Sequence, residues 1–322
     1  MPRGNSIGQH AQFRFLRLVV HASGTGHTVA MAWKRKPAPK SVYRRQLSAQ
    51  LKELHDQSGK TLAEVGAIIE VNQGSLSRIM NGDRGTSPVL VKALLDCYGI
   101  TDLKVREDIL DLVRADQAQG KKWWRKYSAV INTTQYGGYL ELEQSATTLR
   151  SYEPQLIPGL LQTPEYARQV ITAMRVDLDA KQVQALVDVR MNRQAILARD
   201  DSPPPKLWAV IDEAAFRRIE SKPAVLKEQL EHLLDVEPRP NITLQLLPFE
   251  IGFHPGLYGS FMLMGFPEPN PDVVWVENLT NSVYFEGSDD VGRYTEVFDH
   301  LRATALGPPE TRSRIKDMLK EL

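Results

Sequence analysis

A single cysteine stands in 322 residues, so the chain can form no internal disulfide and no cysteine-based zinc set, which fits a reducing compartment. Cys97 falls on the apolar side of a helical pattern and reads as a small core residue rather than a nucleophile. The seven histidines are scattered, and neither His-x-x-x-His nor Cys-x-x-Cys occurs, so metal-ligand spacing is missing. No apolar run approaches the roughly 20 residues that span a bilayer. Phe13 to Val20 is broken by Arg14 and Arg17 and makes a poor signal-peptide core. Gly24-Thr25-Gly26 lacks the strand, the helix and the third glycine of a dinucleotide fingerprint. Taken together, these absences describe a cytoplasmic protein that calls for no cofactor.

Acid is missing from the first 40 positions, which hold seven Lys and Arg. This stretch looks superficially like a transit peptide but reads most simply as a disordered basic extension, with Met31 as an alternative start. The net charge of +1 conceals an asymmetry. Residues 1–127 carry 21 Lys+Arg against 11 Asp+Glu, and residues 128–322 carry 19 against 28. One end can approach a polyanion and the other would repel it. Residues 41–116 are nearly neutral, so the excess sits in the flanks: the first 40 residues, and Lys121, Lys122, Arg125 and Lys126. Those flanks suit sequence-independent attraction to phosphate.

Between the flanks, Thr61 to Gly82 reads TLAEVGAIIEVNQGSLSRIMNG. Thr61 and Glu64 have the spacing of a capping box, followed by Val65, Ile68 and Ile69 as an inward face. Glu70-Val71-Asn72 makes the turn, and Asn72 caps a second helix. There Leu76, Ile79 and Met80 form an apolar stripe, while Gly74, Ser77, Arg78 and Asn81 project opposite with Gln73 beside them. A face of Gln, Ser, Arg and Asn without an acid suits a major groove; an ordinary helical hairpin is the bland alternative. Thr61 and Arg84, at the two ends of the motif, complete the candidate DNA-facing set with Lys121, Lys122 and Arg125. Flanking helices are expected from Ser41 to Gln57 (Leu47, Leu51, Leu54), after Ser87-Pro88 (Leu90, Leu94, Cys97), and from Thr101 (Ile109, Leu112, Val113). The expectation is an all-α five-helix domain over residues 41–116.

This pattern resembles the Xre or phage-repressor type of lambda-repressor-like helix-turn-helix. In that family the first, second and sixth residues of the second helix reach base edges, which implies Gln73, Gly74 and Arg78 here. Two positions depart from it: the turn residue that is usually Gly is Glu70, and the small Ala of the first helix is Gly66. A non-glycine residue at a positive-φ position costs about 1 kcal/mol, so a less sharp turn is expected.

Residues 117–138 read as a basic, Trp-rich connector containing WWRKY. Its tryptophans could stack on nucleic acid, but packing between domains is the stronger reading because Trp buries a large surface. Residues 139–322 are expected to form an α+β domain. A long helix runs to Leu149, with helices at Pro164–Met174 and Ala180–Arg199. Strands are expected at Lys206–Ile211, Asn241–Leu247, Leu257–Gly265, Val273–Val276 and Ser282–Phe285. Two helices separate the first two strands, and two more close the chain. Clustered strands imply a mainly antiparallel sheet.

WWRKY, SYEPQLIPGLLQTPEYAR, LWAVIDEAAFRR, QLEHLL, NITLQLLPF, HPGLYGSF and VVWVENL, in this order, resemble an actinobacterial family of Xre-type regulators, described as WhiJ-like or antitoxin-like, with a C-terminal domain of unknown function. The resemblance implies transcriptional control and a small acidic partner protein encoded nearby. The acidic C-terminal half sits badly with such a partner unless a basic patch such as Arg190–Arg193 or Arg217-Arg218 is exposed. Catalytic candidates are Asp212, Glu213, His254, Glu277, Tyr284 and Glu286, without converging motif spacing. Ser313-Arg314-Ile315-Lys316 matches Ser-x-x-Lys without its companion motifs. A sensing pocket would be lined by Leu156–Leu161 and the Phe253–Phe261 loop. The expected function is a sequence-specific DNA-binding regulator that meets a double-stranded operator as a homodimer, touches no membrane, and senses a small partner or ligand through its C-terminal domain. The alternatives are an antitoxin-like interaction protein and an enzyme acting on a small metabolite.

Overall fold

In the computed structural model, residues 40–118, 123–131, 135–200, 202–268, 270–279 and 282–322 are described. The expected N-terminal extension (Lys40 apart), Lys121 and Lys122 lie outside them. Five helices open the described chain: α1 Val42–Ser58, α2 Leu62–Ile68, α3 Gln73–Met80, α4 Pro88–Cys97 and α5 Leu103–Ala118. Local chemistry sets their starts. Ser41, Thr61, Asn72 and Ser87 each accept a backbone N–H of the first turn, with Pro88 opening α4. Leu47, Leu51, Val65, Leu76, Leu94 and Val113 interlock as the core of this bundle, with Cys97 partly buried against it. Ile68 departs from expectation and is 58% exposed. The inward stripe of α2 runs through Leu62, Val65 and Ile69, and Ile68 sits about 100° away from it on the helix.

The rest of the chain runs α6 Gln135–Ser145, β1 Thr148–Glu153, α7 Pro164–Met174, α8 Ala180–Gln194, β2 Lys206–Asp212, α9 Glu213–Arg217, α10 Pro223–Val236, β3 Ile242–Leu247, β4 Phe261–Gly265, β5 Val273–Glu277, β6 Ser282–Phe285, α11 Ser288–Thr304 and α12 Pro308–Lys320. One six-stranded sheet results, in the order β3-β2-β1-β4-β5-β6. β1, β2 and β3 pair in parallel, whereas β4, β5 and β6 continue from β1 antiparallel. Antiparallel pairings are the majority in a mixed sheet.

Two expectations fail here. The helix expected to reach Leu149 stops at Ser145, and Thr148–Glu153 becomes the central strand. Leu257-Tyr258 belong to a 3-10 turn, Pro255–Tyr258, and β4 starts only at Phe261. Pro255 cannot donate to a ladder, and Gly259 at φ 126° turns the chain before pairing begins.

Each sheet face has its own core. Leu149, Leu207, Ala209, Leu244, Met264 and Val273 point toward α6, α8, α10 and α12, while Tyr152, Val210, Leu263 and Val274 meet Phe298 and Leu301 of α11. Val42 of α1 and Trp124 of the connector join the first of these cores, so the bundle and the sheet are packed within one unit.

Candidate nucleic-acid interface

The turn between α2 and α3 is tightly closed despite its unusual residues. Glu70 takes φ 56°, the one non-glycine residue with positive φ among those described. The Val71 N–H returns to Gly66 O at 2.9 Å. A Cβ at position 66 would stand 2.5 Å from Val71 O, so the glycine in α2 permits the approach that Glu70 completes. The turn is therefore sharp, contrary to the expectation drawn from Glu70.

Leu76, Ile79 and Met80 are buried, which turns Gln73, Gly74, Arg78 and Asn81 to solvent with Ser77 partly covered. Arg78 Nε donates to Gly74 O at 3.2 Å, directing the remaining guanidinium nitrogens outward; no carboxylate pairs with it among the described residues. Asn81 Nδ2 approaches Ser77 Oγ at 3.5 Å, and Arg84 Nη1 donates to Ser75 Oγ at 3.3 Å. Thr61 is already committed, because its hydroxyl donates to Glu64 Oε2 at 2.9 Å and accepts the Glu64 N–H at 3.3 Å. The Thr61 N–H, which donates to Glu64 Oε2 at 2.8 Å, and then the Thr61 hydroxyl hold the Glu64 carboxyl below its ordinary pKa.

Residues missed by sequence reasoning hold the end of α3. Lys40 donates to the Asn81 carbonyl and pairs with Asp83 at 3.1 Å. Ser41 Oγ donates to Asp116 at 2.6 Å, and Arg44 grips the same carboxylate at 3.2 and 3.0 Å. The start of α1, with Lys40 and Ser41 just before it, thus touches the end of α3, the end of α5 and, through Val42, the sheet core. Only the proximity of these residues in the fold reveals this; no local pattern marks it.

Arg125 and Lys126 are exposed on the 3-10 turn Trp123–Tyr127. Trp124 is 3% exposed in the sheet core and Trp123 packs against it edge-on at 5.6 Å. The pair is thus committed to packing rather than to stacking on bases.

The catalytic candidates do not gather into one cluster, although Asp212 and His254 meet. Asp212 Oδ2 lies 3.6 Å from His254 Nε2, and Asp212 Oδ1 caps α9 at Ala214 N. Glu213 is a buried hub that binds Arg217 at 3.1 Å, Arg314 at 3.0 Å and the Phe249 N–H at 3.3 Å. Glu277 and Tyr284 lie across the sheet on β5 and β6, and Glu286 sits 3.9 Å from Arg45 Nη1. No group of three or more His, Cys, Asp and Glu able to hold a metal occurs among the described residues. The proposed apolar pocket also dissolves: Ile157, Leu160 and Leu161 belong to the core, while Phe253 and Tyr258 stand fully exposed. The basic patches are largely neutralised, since Arg193 is buried against Glu143 and Arg217 is paired with Glu213 and Glu220.

A capped two-helix hairpin with a polar outer face defines the class, and residues 46–116 match a helix-turn-helix domain family, which points to a DNA-binding transcriptional regulator. Residues 136–317 match the domain of unknown function DUF5753; this is more than half of the chain, which belongs to that family. No curated protein and no solved structure shows a significant match. No helix among the described residues is long and apolar enough to cross a membrane.

Proposed function

We propose that the protein is a sequence-specific regulator that binds a two-fold symmetric operator as a homodimer. The observation that carries this reading is the outward face of α3, where Gln73, Ser77, Arg78 and Asn81 stand together without an acid. Arg78 reads a guanine through O6 and N7 with its planar fork, and Gln73 suits adenine. Arg84 and Arg125 contribute phosphate contacts. The C-terminal domain senses a small partner protein or ligand, and the first turn of α1 conveys its state to α3. An acidic partner would find its complement on the basic N-terminal half, because Arg193 and Arg217 in the arginine patches of the sheet domain are already paired.

An operator obtained by selection from random DNA gives the test. Arg78→Ala is expected to cost about 1–3 kcal/mol on that site and little on random DNA. Equal losses on both would remove Arg78 from base reading and, with it, the main support for specificity on α3.

A further inference from the structure

The carboxyl end of the central strand carries charged groups that DNA reading does not use. Glu153 ends β1 and Glu277 ends β5, with β4 between them. Tyr152 is level with Phe261, and Met262 with Trp275. Extending that register by one residue sets both glutamates level with Ser260, just before β4 begins. Two strand spacings separate their Cα atoms by about 10 Å. Counting in twos from Leu149 and Val273, both side chains belong to the face under α6 and α8. Gly259 and Ser260 place nothing large between them.

Above this edge, Tyr139 packs 4.2 Å from Trp275 and stacks on Tyr136 at 5.8 Å. Glu143 and Arg193 form a closed pair at 2.8 and 2.6 Å, and the guanidinium also donates to the hydroxyls of Tyr136 and Tyr139. One turn earlier in α8, Arg190 gives a hydrogen bond to Gln162 at 2.7 Å and meets no carboxylate within ion-pair distance among the described residues. Glu153 and Glu277 have no hydrogen-bond donor and no ion-pair partner there either. All three charges nevertheless act on one another. Burial first, and then Glu277, push the Glu153 carboxyl up to about 8; burial on its protein side also raises Glu277. Ser151, one step inward on the same face, is fully buried with its hydroxyl unpaired.

Glu153 and Arg190 are half-buried and Glu277 is exposed, and charged groups gathered at one strand edge without ion-pair partners are expected where a ligand supplies those partners. The place agrees with this, because open sheets bind ligands beyond the carboxyl ends of their parallel strands, where the strand order changes direction. An ammonium alone would leave Arg190 unmatched, and a carboxylate alone would face two glutamates of its own sign.

We propose that Glu153, Glu277 and Arg190 bind a small zwitterion, its ammonium between the two glutamates and its carboxylate on the Arg190 fork, with Tyr136 and Tyr284 as walls. The proposal rests on the reading of the C-terminal domain as a sensor and names the chemistry it senses.

Calorimetric titration of the full-length protein, without DNA, with each free L-amino acid, its decarboxylated amine and its des-amino acid tests the site. At least one amino acid is expected to bind, with the matching amine and acid at least tenfold weaker. Glu277→Gln and Arg190→Met should each weaken that binding tenfold or more. The unliganded Glu153→Gln variant should melt no lower than the wild type, since it loses an unpartnered carboxylate. A lower melting temperature would assign Glu153 to the fold and overturn the site. An amine that binds as tightly as its amino acid would overturn zwitterion recognition, and so would the absence of binding by every amino acid. An amino acid that binds at these residues without altering operator affinity would leave the site intact and remove the sensor role.

Discussion

The guanidinium of Arg45 lies 5.0 Å above the ring of Phe266. The first residue belongs to α1 and the second directly follows β4, so the contact joins the DNA-reading bundle to the sheet. None of the three guanidinium nitrogens of Arg45 has a hydrogen-bond partner. Burial lowers its pKa, with Glu286 and Asp272 pulling it back. A cation so placed costs more to desolvate than the ring returns. Arg45→Met is therefore expected to match the wild type or gain about 1–2 kcal/mol, measured as a urea midpoint at unchanged m-value. A clear loss of stability would show that the charge is compensated.

The Gly66 and Glu70 pair predicts opposite signs for two small changes. Glu70→Gly relieves a left-handed backbone and should gain about 1 kcal/mol. Gly66→Ala sets a methyl against the Val71 carbonyl oxygen and should lose about 1–3 kcal/mol. Thermal unfolding of the two variants is the check; a neutral Gly66→Ala would mean that the turn opens freely.

Glu213 should behave as a structural hub. Burial raises its carboxyl, but hydrogen bonds from Arg314, the Phe249 N–H and Arg217 outweigh it and hold the pKa below the ordinary value. A lowered folded-state pKa gives stability that is present above the unfolded value and lost as pH falls through the folded one. Glu213→Gln should thus cost about 1–3 kcal/mol near neutrality and progressively less in acid. A penalty independent of pH would contradict the charge-based account.

Arg125 and Lys126 are exposed beside the two packed tryptophans, with Lys126 Nζ 4.9 Å over the Tyr127 ring. Replacing both by Gln should flatten the dependence of log K on log salt by about 0.9 for each phosphate no longer neutralised. An unchanged slope would place them in solvent or against a partner.

The helix-turn-helix was legible because its signals are local. Thr61 and Glu64, Asn72, Ser87-Pro88 and the Leu76-Ile79-Met80 stripe each state their structure within a few residues. Strand β1 was not: Leu149 extends the apolar rhythm of Tyr139, Leu140 and Leu142, so Thr148 and Leu149 read as the end of that helix, and Arg150–Glu153 show no strand signal until β2 and β4 pair with them. The α3 face could be assigned residue by residue from periodicity. The Glu153, Arg190 and Glu277 cluster could not, since its members meet only through sheet register and the packing of α8. Glu213 and Arg193 looked available in sequence because their counter-ions, Arg314 and Glu143, are distant along the chain.

The central position of β1 also dictates an order of events during synthesis. Thr147, at its head, bonds Gly265, 118 positions later, so the sheet cannot close until most of the chain has been made. The bundle is clasped by Ser41 and Asp116, only 75 positions apart, and the other contacts within it are shorter still. Local contacts form early and distant ones late. A ribosome that stalls before β4 would therefore hold a finished DNA reader attached to an unfinished sheet.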